Sequence, residues 1–320
     1  MDFCTANTLP WLKNAQERLR TARANSHLPH SLLILSPAGL GALEFALWVS
    51  ALVLCEQAEG PCGQCAACRL LKADSHPDLH RVALEEESKT LKVDQVRVLI
   101  EAMRLKSYRG EFKVGLIECA EALNESGANA FLKFLEEPPA DTCLILVAKP
   151  THRLPSTVAS RCVKVKILTP HEELATTWLA GARPAARAGI AAALALAQGA
   201  PFLALELLDG DLAGLDREMQ GDLRAMTADA VDVTQIAERW SRGNVALRLD
   251  WFEHWINARL RACLTPTAAD LVRALNATDR PWFRLIEKIH ALKALSATGI
   301  NQQLALEALL LDTRQALAIA

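Results

Sequence analysis

The sequence predicts an α/β domain built on a parallel sheet, followed by two helical segments. Short apolar runs alternate with helical patterns over residues 1–166, strand patterns stop after Thr169-Pro170, and the remainder has helical patterning. The candidate strands are Ser31–Leu35, Leu79–Val82, Lys113–Glu118, Thr142–Val147 and Cys162–Leu168. Most intervals between them leave room for a crossover helix, as a parallel sheet covered on both faces requires.

The helical boundaries follow from local residues. Pro10 and Trp11 precede a first helix over Leu12–Ala24. A helix starting near Asn124 is expected to end at Glu136-Glu137-Pro138-Pro139, because two prolines cannot continue the hydrogen-bond ladder.

The second half of the chain is expected to contain two helical segments. His171–Leu208 has a break at Gly199-Ala200-Pro201, and Asp209-Gly210-Asp211 is the predicted hinge into the last segment. Two apolar faces run along Leu247–Cys263. Such a helix is buried on several sides, within a bundle or against other subunits, and we favour the single-chain core.

Composition narrows the class of protein. The 320 residues can form two or three domains, and the formal net charge of −2 disfavours a protein that mainly coats nucleic acid. Asp2 and the polar run Lys13–Arg23 leave no signal-peptide core, and Ala188–Leu205 predicts two short helices instead of a membrane span. We therefore expect a cytoplasmic protein with no membrane partner, whose nine cysteines are reduced or bind metal.

A glycine-containing loop follows the first candidate strand. It runs Ser36-Pro37-Ala38-Gly39-Leu40-Gly41-Ala42-Leu43, between Leu32–Leu35 and a helical pattern that begins at Ala42. A working phosphate-binding loop has the form G-x-x-x-x-G-K-[ST] in this strand–loop–helix context. Here Ser36 replaces the first glycine, Ala42 the lysine and Leu43 the hydroxyl. The stretch alone fits a degenerate nucleotide loop or an ordinary turn equally well.

Four cysteines form a compact cluster, C-x6-C-x2-C-x2-C, at Cys55, Cys62, Cys65 and Cys68. Their spacing lets four sulfurs converge on one ion, and a closed Cys4 set predicts structural zinc. An iron–sulfur cluster fits less well because Lys72 occupies the position of the further cysteine in the bacterial ferredoxin run. Buried unliganded thiols are the third alternative. His76 and His80 lie nearby, but the set is complete without them.

Taken together, the motifs resemble one family, the δ′ subunits of bacterial DNA polymerase III clamp loaders. The resemblance runs from Leu28 almost to the C-terminus. It includes the loop and the cysteine insertion, and it is carried further by Ser75–Asp78, Leu91–Arg97, Asn129–Pro139, Ser160-Arg161-Cys162 and Ala297–Leu304. The N-A-x-L-K-x-L-E-E-P-P and S-R-C stretches are its most specific parts.

The resemblance implies an AAA+ core over 1–166, a small helical lid over 167–208 and a helical collar over 209–320 that joins a five-subunit ring. The implied partners are ATPase subunits of the gamma/tau type and a delta subunit, with the sliding clamp and primer-template DNA reached through the complex.

Against active members of the family, this chain departs at three places. The loop lacks its lysine and hydroxyl, so we expect no bound ATP. The acidic strand end is Glu118-Cys119-Ala120-Glu121, where Cys119 stands in place of the water-activating Glu. Glu118 retains a carboxylate for magnesium, whereas Glu121 is interpreted as a solvated charge. Phe202 stands where active relatives carry a phosphate-sensing Arg. We expect no autonomous ATPase, only membership of a polymerase holoenzyme.

One catalytic group of the family is present. Arg161 matches the S-R-C arginine that family members insert into a neighbour's ATP site, Ser160 would orient its loop, and Cys162 is expected to pack in the core. From the residues alone, the default interpretation of Arg161 is a surface arginine in an internal ion pair, and the resemblance favours the role in trans.

Two charged features are less specific. Glu136-Glu137 at a helix end is interpreted as solvated, with a contact to basic neighbours or a partner as the alternative. Lys149, His152 and Arg153 could meet DNA phosphates.

Two other function classes are considered. A divergent ATPase predicts turnover by the isolated chain, and the missing loop lysine disfavours it. A free-standing zinc-dependent DNA-binding protein predicts salt-sensitive DNA affinity, and the slightly acidic balance disfavours it.

Overall fold

The computed structural model describes residues 3–85, 88, 90–109, 112–149, 154–228, 231–263, 280–295 and 301–319. It contains a five-stranded sheet in the order β2-β3-β4-β1-β5, and every pairing is parallel. The strands are β1 (Ser31–Leu35), β2 (Leu79–Val82), β3 (Lys113–Ile117), β4 (Thr142–Ala148) and β5 (Val163–Lys166).

Helices cover the sheet on both faces. The helices before Pro184 are α1 (Lys13–Ala24), α2 (Ala42–Leu54), α3 (Ala66–Lys72), α4 (Val93–Arg104), α5 (Glu125–Glu136), α6 (Ser156–Ala159) and α7 (Glu172–Ala182). Short 3-10 helices span Phe3–Thr8, Pro10–Leu12, Ala120–Ala122 and Pro184–Gly189. Helix α2 packs on β1, β3 and β4, and its run Phe45–Val53 is wholly buried. Helices α4 and α5 form the core of the other face with Leu33, Leu144 and Leu146.

The remaining helices are α8 (Ile190–Leu196), α9 (Pro201–Asp209), α10 (Leu212–Thr227), α11 (Val233–Ser241), α12 (Val245–Cys263), α13 (Arg280–Leu295) and α14 (Gln302–Ile319). The described residues divide into two compact units. One comprises Met1–Pro184 with Gly199–Leu203, and the other Ala185–Gln198 with Ala204–Ala320. The division of the chain at 166 and 208 into core, lid and collar stays a prediction.

The second unit has its own apolar core. Trp240, Phe252 and Ile256 are each fully buried there. Leu249, Trp251 and Leu260 of α12 are also buried, while Leu247 and Trp255 are half-buried. Both predicted apolar faces of α12 therefore contribute to packing within the chain, as in the favoured alternative.

The strand predictions agree closely with the structure. Four of the five candidates match to within one residue, while β5 is shorter than Cys162–Leu168 because Cys162, Ile167 and Leu168 lie outside the paired segment. Asn124 caps α5 by accepting a hydrogen bond from the Gly127 N–H at 2.7 Å, which explains where that helix begins. Within the described residues, no helix is both long and apolar enough to cross a bilayer.

Candidate functional site

The glycine-containing loop connects β1 to α2 at the carboxyl edge of the sheet, where a parallel α/β fold places its ligands. Gly39 and Gly41 both have left-handed backbone angles, with φ of +76° and +79°, and Gly41 is the N-cap of α2. Ser36 is buried, and Ala42 and Leu43 are half-buried. The predicted strand–loop–helix context is therefore present.

Apolar side chains occupy the space beside both glycines. A Cβ on Gly39 would lie 2.5 Å from Leu203 Cγ, and one on Gly41 would lie 2.7 Å from Leu9 Cδ1 and 3.1 Å from the Phe202 ring. In this chain the glycines thus permit close packing of neighbouring side chains. A phosphate-binding role is not needed to explain them.

Aromatic residues surround the same loop. The Trp11 indole N–H donates to the Leu40 carbonyl at 2.9 Å, and the Phe202 backbone N–H donates to the Gly39 carbonyl at 3.0 Å. The Trp178 ring lies between these two residues, with its centroid 5.3 Å from that of Trp11 and 5.4 Å from that of Phe202. We call Trp11, Trp178 and Phe202 the aromatic cluster. Phe202, which stands where active relatives carry a phosphate-sensing Arg, therefore lies against the loop as an apolar contact.

The acidic strand end at β3 is neutralised from within the chain. Arg81 on β2 donates to Glu118 Oε1 through Nε at 2.9 Å and through Nη2 at 2.5 Å, and its Nη1 donates to Asp74 at 2.7 Å. The Glu118 side chain is only 13% exposed. The carboxylate that the sequence left open for magnesium is therefore held by a guanidinium, and Arg81 was not singled out from the sequence.

Cys119 and Glu121 follow Glu118 without forming a catalytic acid pair. Burial raises the pKa of the Cys119 thiol, and the charges of Glu121 and Glu118 raise it further. The prediction that Glu121 is solvated is wrong, because the residue is half-buried and its Oε2 is buried with no hydrogen-bond partner among the described residues. The short 3-10 helix Ala120–Ala122 turns this side chain inward.

The four predicted cysteines come together around one point. Their sulfurs all lie within 4.8 Å of one another, with Cys55–Cys65 and Cys62–Cys68 each separated by 3.9 Å. Four sulfurs at about 2.3 Å from a central zinc would be about 3.8 Å apart, and a disulfide would need about 2.05 Å. The spacing fits a tetrahedral metal site.

Backbone N–H groups point at the sulfurs. Gln57 and Cys62 donate to Cys55 Sγ at 3.4 Å, Gln64 and Cys65 donate to Cys62 Sγ at 3.5 and 3.3 Å, and Cys68 donates to Cys65 Sγ at 3.4 Å. These donors stabilise thiolates, which are the form that binds metal.

Burial and hydrogen bonding separate the thiol pKa values. Burial raises the pKa of Cys55 and Cys68, whereas the Gln64 and Cys65 N–H groups lower the pKa of Cys62 to about 6. His76 and His80 are not part of the cysteine set.

Arg161 lies at the opposite, amino edge of the sheet. Its carbonyl accepts a hydrogen bond from the hydroxyl of Ser31, the first residue of β1, at 2.8 Å. The glycine-containing loop follows the other end of β1, about 16 Å away for five residues of parallel strand. Arg161 is therefore remote from the nucleotide loop of its own chain.

The Arg161 side chain is partly held and partly open. Nη2 donates to Glu136 Oε1 at 2.6 Å, Nη1 donates to the Thr157 carbonyl at 2.9 Å, and 36% of the side chain is exposed. The internal ion pair that the sequence offered as the ordinary interpretation is present. Glu136 is itself 52% exposed, so it is solvated at its helix end as expected, and it also makes the contact with a basic neighbour that the sequence offered as the alternative. A guanidinium has five N–H groups, so two hydrogen bonds leave others available.

The neighbours of Arg161 have separate roles. The Ser160 hydroxyl donates to the Thr157 carbonyl at 3.2 Å, which secures the end of α6. Cys162 is buried in the core with α4 and α5, as expected. Lys149 is exposed, whereas His152 and Arg153 of the predicted basic cluster lie outside the described residues.

These observations first define a class of protein. A parallel α/β unit with a glycine loop between its first strand and the next helix, followed by a helical unit, has the architecture of nucleotide-binding α/β proteins. In this chain the loop is packed by its own side chains.

Known proteins show which family this is. The family model described as DNA polymerase III, delta subunit, matches residues 11–171. The DNA polymerase III subunit delta′ of Pseudomonas aeruginosa is 35% identical over 263 residues, which cover 81% of this chain and 79% of that one. The Escherichia coli protein of the same name is 38% identical over 206 residues, which cover 63% of this chain and 61% of that one. The chain belongs to the DNA polymerase III subunit delta′ family.

Proposed function

We propose that this chain is a clamp-loader subunit that does not hydrolyse ATP and that contributes Arg161 to the ATP site of a neighbouring subunit. Family membership supports the clamp-loader assignment. The observation that carries the role in trans is the placement of Arg161, partly exposed and at the sheet edge opposite its own loop. From there Arg161 does not reach its own loop, so an ATP site that it serves would belong to another molecule.

The chemistry of the proposed role is electrostatic. A guanidinium beside a γ-phosphate offsets the charge that develops as the phosphoryl group is transferred, and such a residue is worth about 10³–10⁵ in rate in well-studied systems. Ser160 supports Arg161 by fixing the turn that carries it.

The isolated chain is proposed to lack ATPase activity for three physical reasons. Ala42 and Leu43 offer no charge or hydroxyl, Glu118 is committed to Arg81, and the aromatic cluster lies against the loop. A charged phosphate placed there would lose hydration without the loop lysine and hydroxyl that would compensate it.

The rest of the assembly follows the family. We propose that 1–166 is the core, 167–208 a lid and 209–320 a collar in a five-subunit ring with gamma/tau-type ATPase subunits and a delta subunit. Contact with the sliding clamp and primer-template DNA would occur through this complex, in the cytoplasm.

The test is ATP turnover by a complex reconstituted from the partner ATPase subunits with wild-type chain, Arg161→Ala or Lys164→Ala. Lys164 is an exposed cation on adjacent β5 and serves as the matched control. We expect Arg161→Ala to lower turnover while assembly, followed by size-exclusion chromatography, stays intact, and Lys164→Ala to match wild type.

Two outcomes would contradict the proposal. Turnover by the isolated wild-type chain would show that the loop is functional. Unchanged turnover with Arg161→Ala, in an assembled complex and with a silent isolated chain, would leave the chain as a structural member only.

We also propose that Cys55, Cys62, Cys65 and Cys68 hold one structural zinc ion, because their sulfur spacing and backbone N–H donors suit a closed tetrathiolate. Zinc there would stabilise the connection between α2 and α3. Metal analysis of protein purified without added zinc should give one equivalent. Absence of metal, with four titratable thiols in this segment, would refute the site.

A further inference from the structure

The cysteine cluster requires compensation for its charge. Four thiolates around one zinc ion carry a net charge of about −2, and two of the four residues, Cys55 and Cys68, are buried. Buried charge is costly unless hydrogen bonds or an opposite charge offset it. Backbone N–H groups supply part of this compensation, and a cation beside the cluster would supply the rest.

Arg23, in the last turn of α1, lies against the cluster. Its Nη2 donates to the Cys55 carbonyl at 2.5 Å. Its Nη1 is buried and has no hydrogen-bond partner in the described part of the chain. A buried N–H group without an acceptor costs about 1–3 kcal/mol. The unpaired Nη1 of Arg23 therefore indicates that a neighbouring group can accept its hydrogen bond.

Gly60 shows what lies beside that orphan. A Cβ on Gly60 would be 2.6 Å from Cys55 Sγ and 2.8 Å from Arg23 Nη1. Both atoms therefore border the same small space, which the absence of a side chain at Gly60 leaves open. When ionised, Cys55 Sγ carries a negative charge and borders the same space as the positively charged Arg23 guanidinium.

Nearby carboxylates do not account for Arg23. A cavity of about 590 Å³ is lined by Arg23, Glu56 and Asp78 among others. Both carboxylate oxygens of Asp78 accept backbone N–H groups, from Tyr108 at 2.6 Å and Arg109 at 2.9 Å, and Glu56 Oε1 accepts the Ala67 N–H at 3.2 Å. Because Arg23 Nη1 is itself buried, it does not open into the cavity.

We propose that Arg23 is a positioning residue of the metal centre, with its guanidinium serving the Cys55 thiolate and offsetting the negative charge of the cluster. The proposal rests on the metal site proposed above. It assigns α1 to the shell around the cysteines, so that the metal centre is joined to the start of the fold as well as to α2 and α3.

The experiment compares Arg23→Met with Arg18→Met in the full-length chain. Arg18 lies on the same helix, is exposed, and loses the same charge. Competition with a chromogenic chelator should show zinc bound about 10- to 100-fold more weakly by Arg23→Met, as for other residues that support metal ligands, and within twofold of wild type by Arg18→Met. Equal affinity for all three chains would overturn the proposal.

A cobalt-substituted chain provides a readout that lost packing alone would not move. Removing a positive donor from a thiolate should shift the sulfur-to-cobalt charge-transfer band to lower energy in Arg23→Met and leave it in place in Arg18→Met. If circular dichroism shows that Arg23→Met does not fold, the cobalt spectrum is measured with Arg23→Lys instead. Lysine keeps the charge but not the planar donor set, so a smaller shift in the same direction is expected, and an unmoved band would overturn the proposal.

Failure of the metal site and failure of Arg23 are distinguishable. A wild-type chain that binds neither zinc nor cobalt would refute the metal centre, and the role of Arg23 with it. A wild-type chain that binds one equivalent, with Arg23→Met unchanged in affinity and spectrum, would refute the role of Arg23 alone.

Discussion

The two edges of the sheet differ in how far their functional groups are already paired or covered by other residues of the chain. At the carboxyl edge, Glu118 is 13% exposed and held by Arg81, and side chains fill the space beside Gly39 and Gly41. At the amino edge, Arg161 makes two hydrogen bonds and remains 36% exposed. This chain therefore closes the carboxyl edge of its sheet without disturbing the arginine at the amino edge.

The difference follows from the fold. In a parallel sheet, the segments before and after a strand lie at opposite edges, so residues that surround the glycine loop make no contact with the S-R-C turn. Substitutions at one edge can accumulate independently of the other. The proposed function depends on this separation, and each prediction below tests one side of it.

The largest effect on turnover is expected at the amino edge, from Arg161→Lys in the reconstituted complex. Lysine keeps the charge but loses the planar donors that span Glu136, Thr157 and a phosphate together. We expect turnover at the neighbouring site to fall about 10- to 100-fold, less than with Arg161→Ala. Pre-steady-state ATP hydrolysis measures this. Wild-type turnover with lysine would mean that charge alone is used, and that the side chain's fixed geometry is irrelevant.

The next effect tests whether the carboxyl edge is closed by packing. Gly39→Ala places a Cβ 2.5 Å from Leu203 at a φ of +76°, so we expect a loss of about 2–4 kcal/mol in unfolding free energy. Gly181→Ala is the matched control, because α7 has open space there and alanine is the better helix former by about 0.5–1 kcal/mol. Denaturant titration followed by circular dichroism compares them. Equal stability of the two variants would show that the loop is open.

A smaller effect tests the ion pair that neutralises the acidic strand end. Arg81→Met leaves the half-buried Glu118 without its partner. We expect the free energy of unfolding, measured by thermal denaturation, to fall by about 1–3 kcal/mol. Arg97→Met removes an exposed pair with Asp94 and should cost less than about 0.5 kcal/mol. If Arg81→Met instead acquired magnesium-dependent ATP binding, measured by calorimetry, the carboxyl edge would still be able to bind nucleotide and would be blocked only by Arg81.

Much of this architecture is visible in the sequence because its signals are local. The apolar runs of β1 and β4 are bounded by turn residues, Asn124 caps α5, and the four cysteines lie within one short segment. Such features need only near neighbours in the chain. The Cys4 convergence was accordingly predicted residue by residue.

The features that the sequence did not yield are pairings across the fold. Arg81 meets Glu118 because β2 and β3 are adjacent, and Glu136 meets Arg161 because the end of α5 lies beside the turn before β5. Trp178 joins Trp11 only through tertiary packing. The sequence supplied every residue in these contacts, but a charge pair between separate elements has no spacing from which it can be inferred.

The smallest effect concerns the carboxylate that holds Arg161. Glu136→Gln keeps the shape of the side chain and weakens its hold on Nη2, so the guanidinium samples more orientations and meets a phosphate less often. We expect the kcat of the reconstituted complex to fall about threefold with the KM for ATP unchanged, because an exposed pair of this kind is worth about 0–1 kcal/mol. Glu137→Gln, the exposed neighbour, is the control and should match wild type. A rise in kcat with Glu136→Gln would show that the carboxylate restrains Arg161 from its neighbour instead of aiming it. The amino edge would then be partly closed as well, and the contrast between the edges would be one of degree.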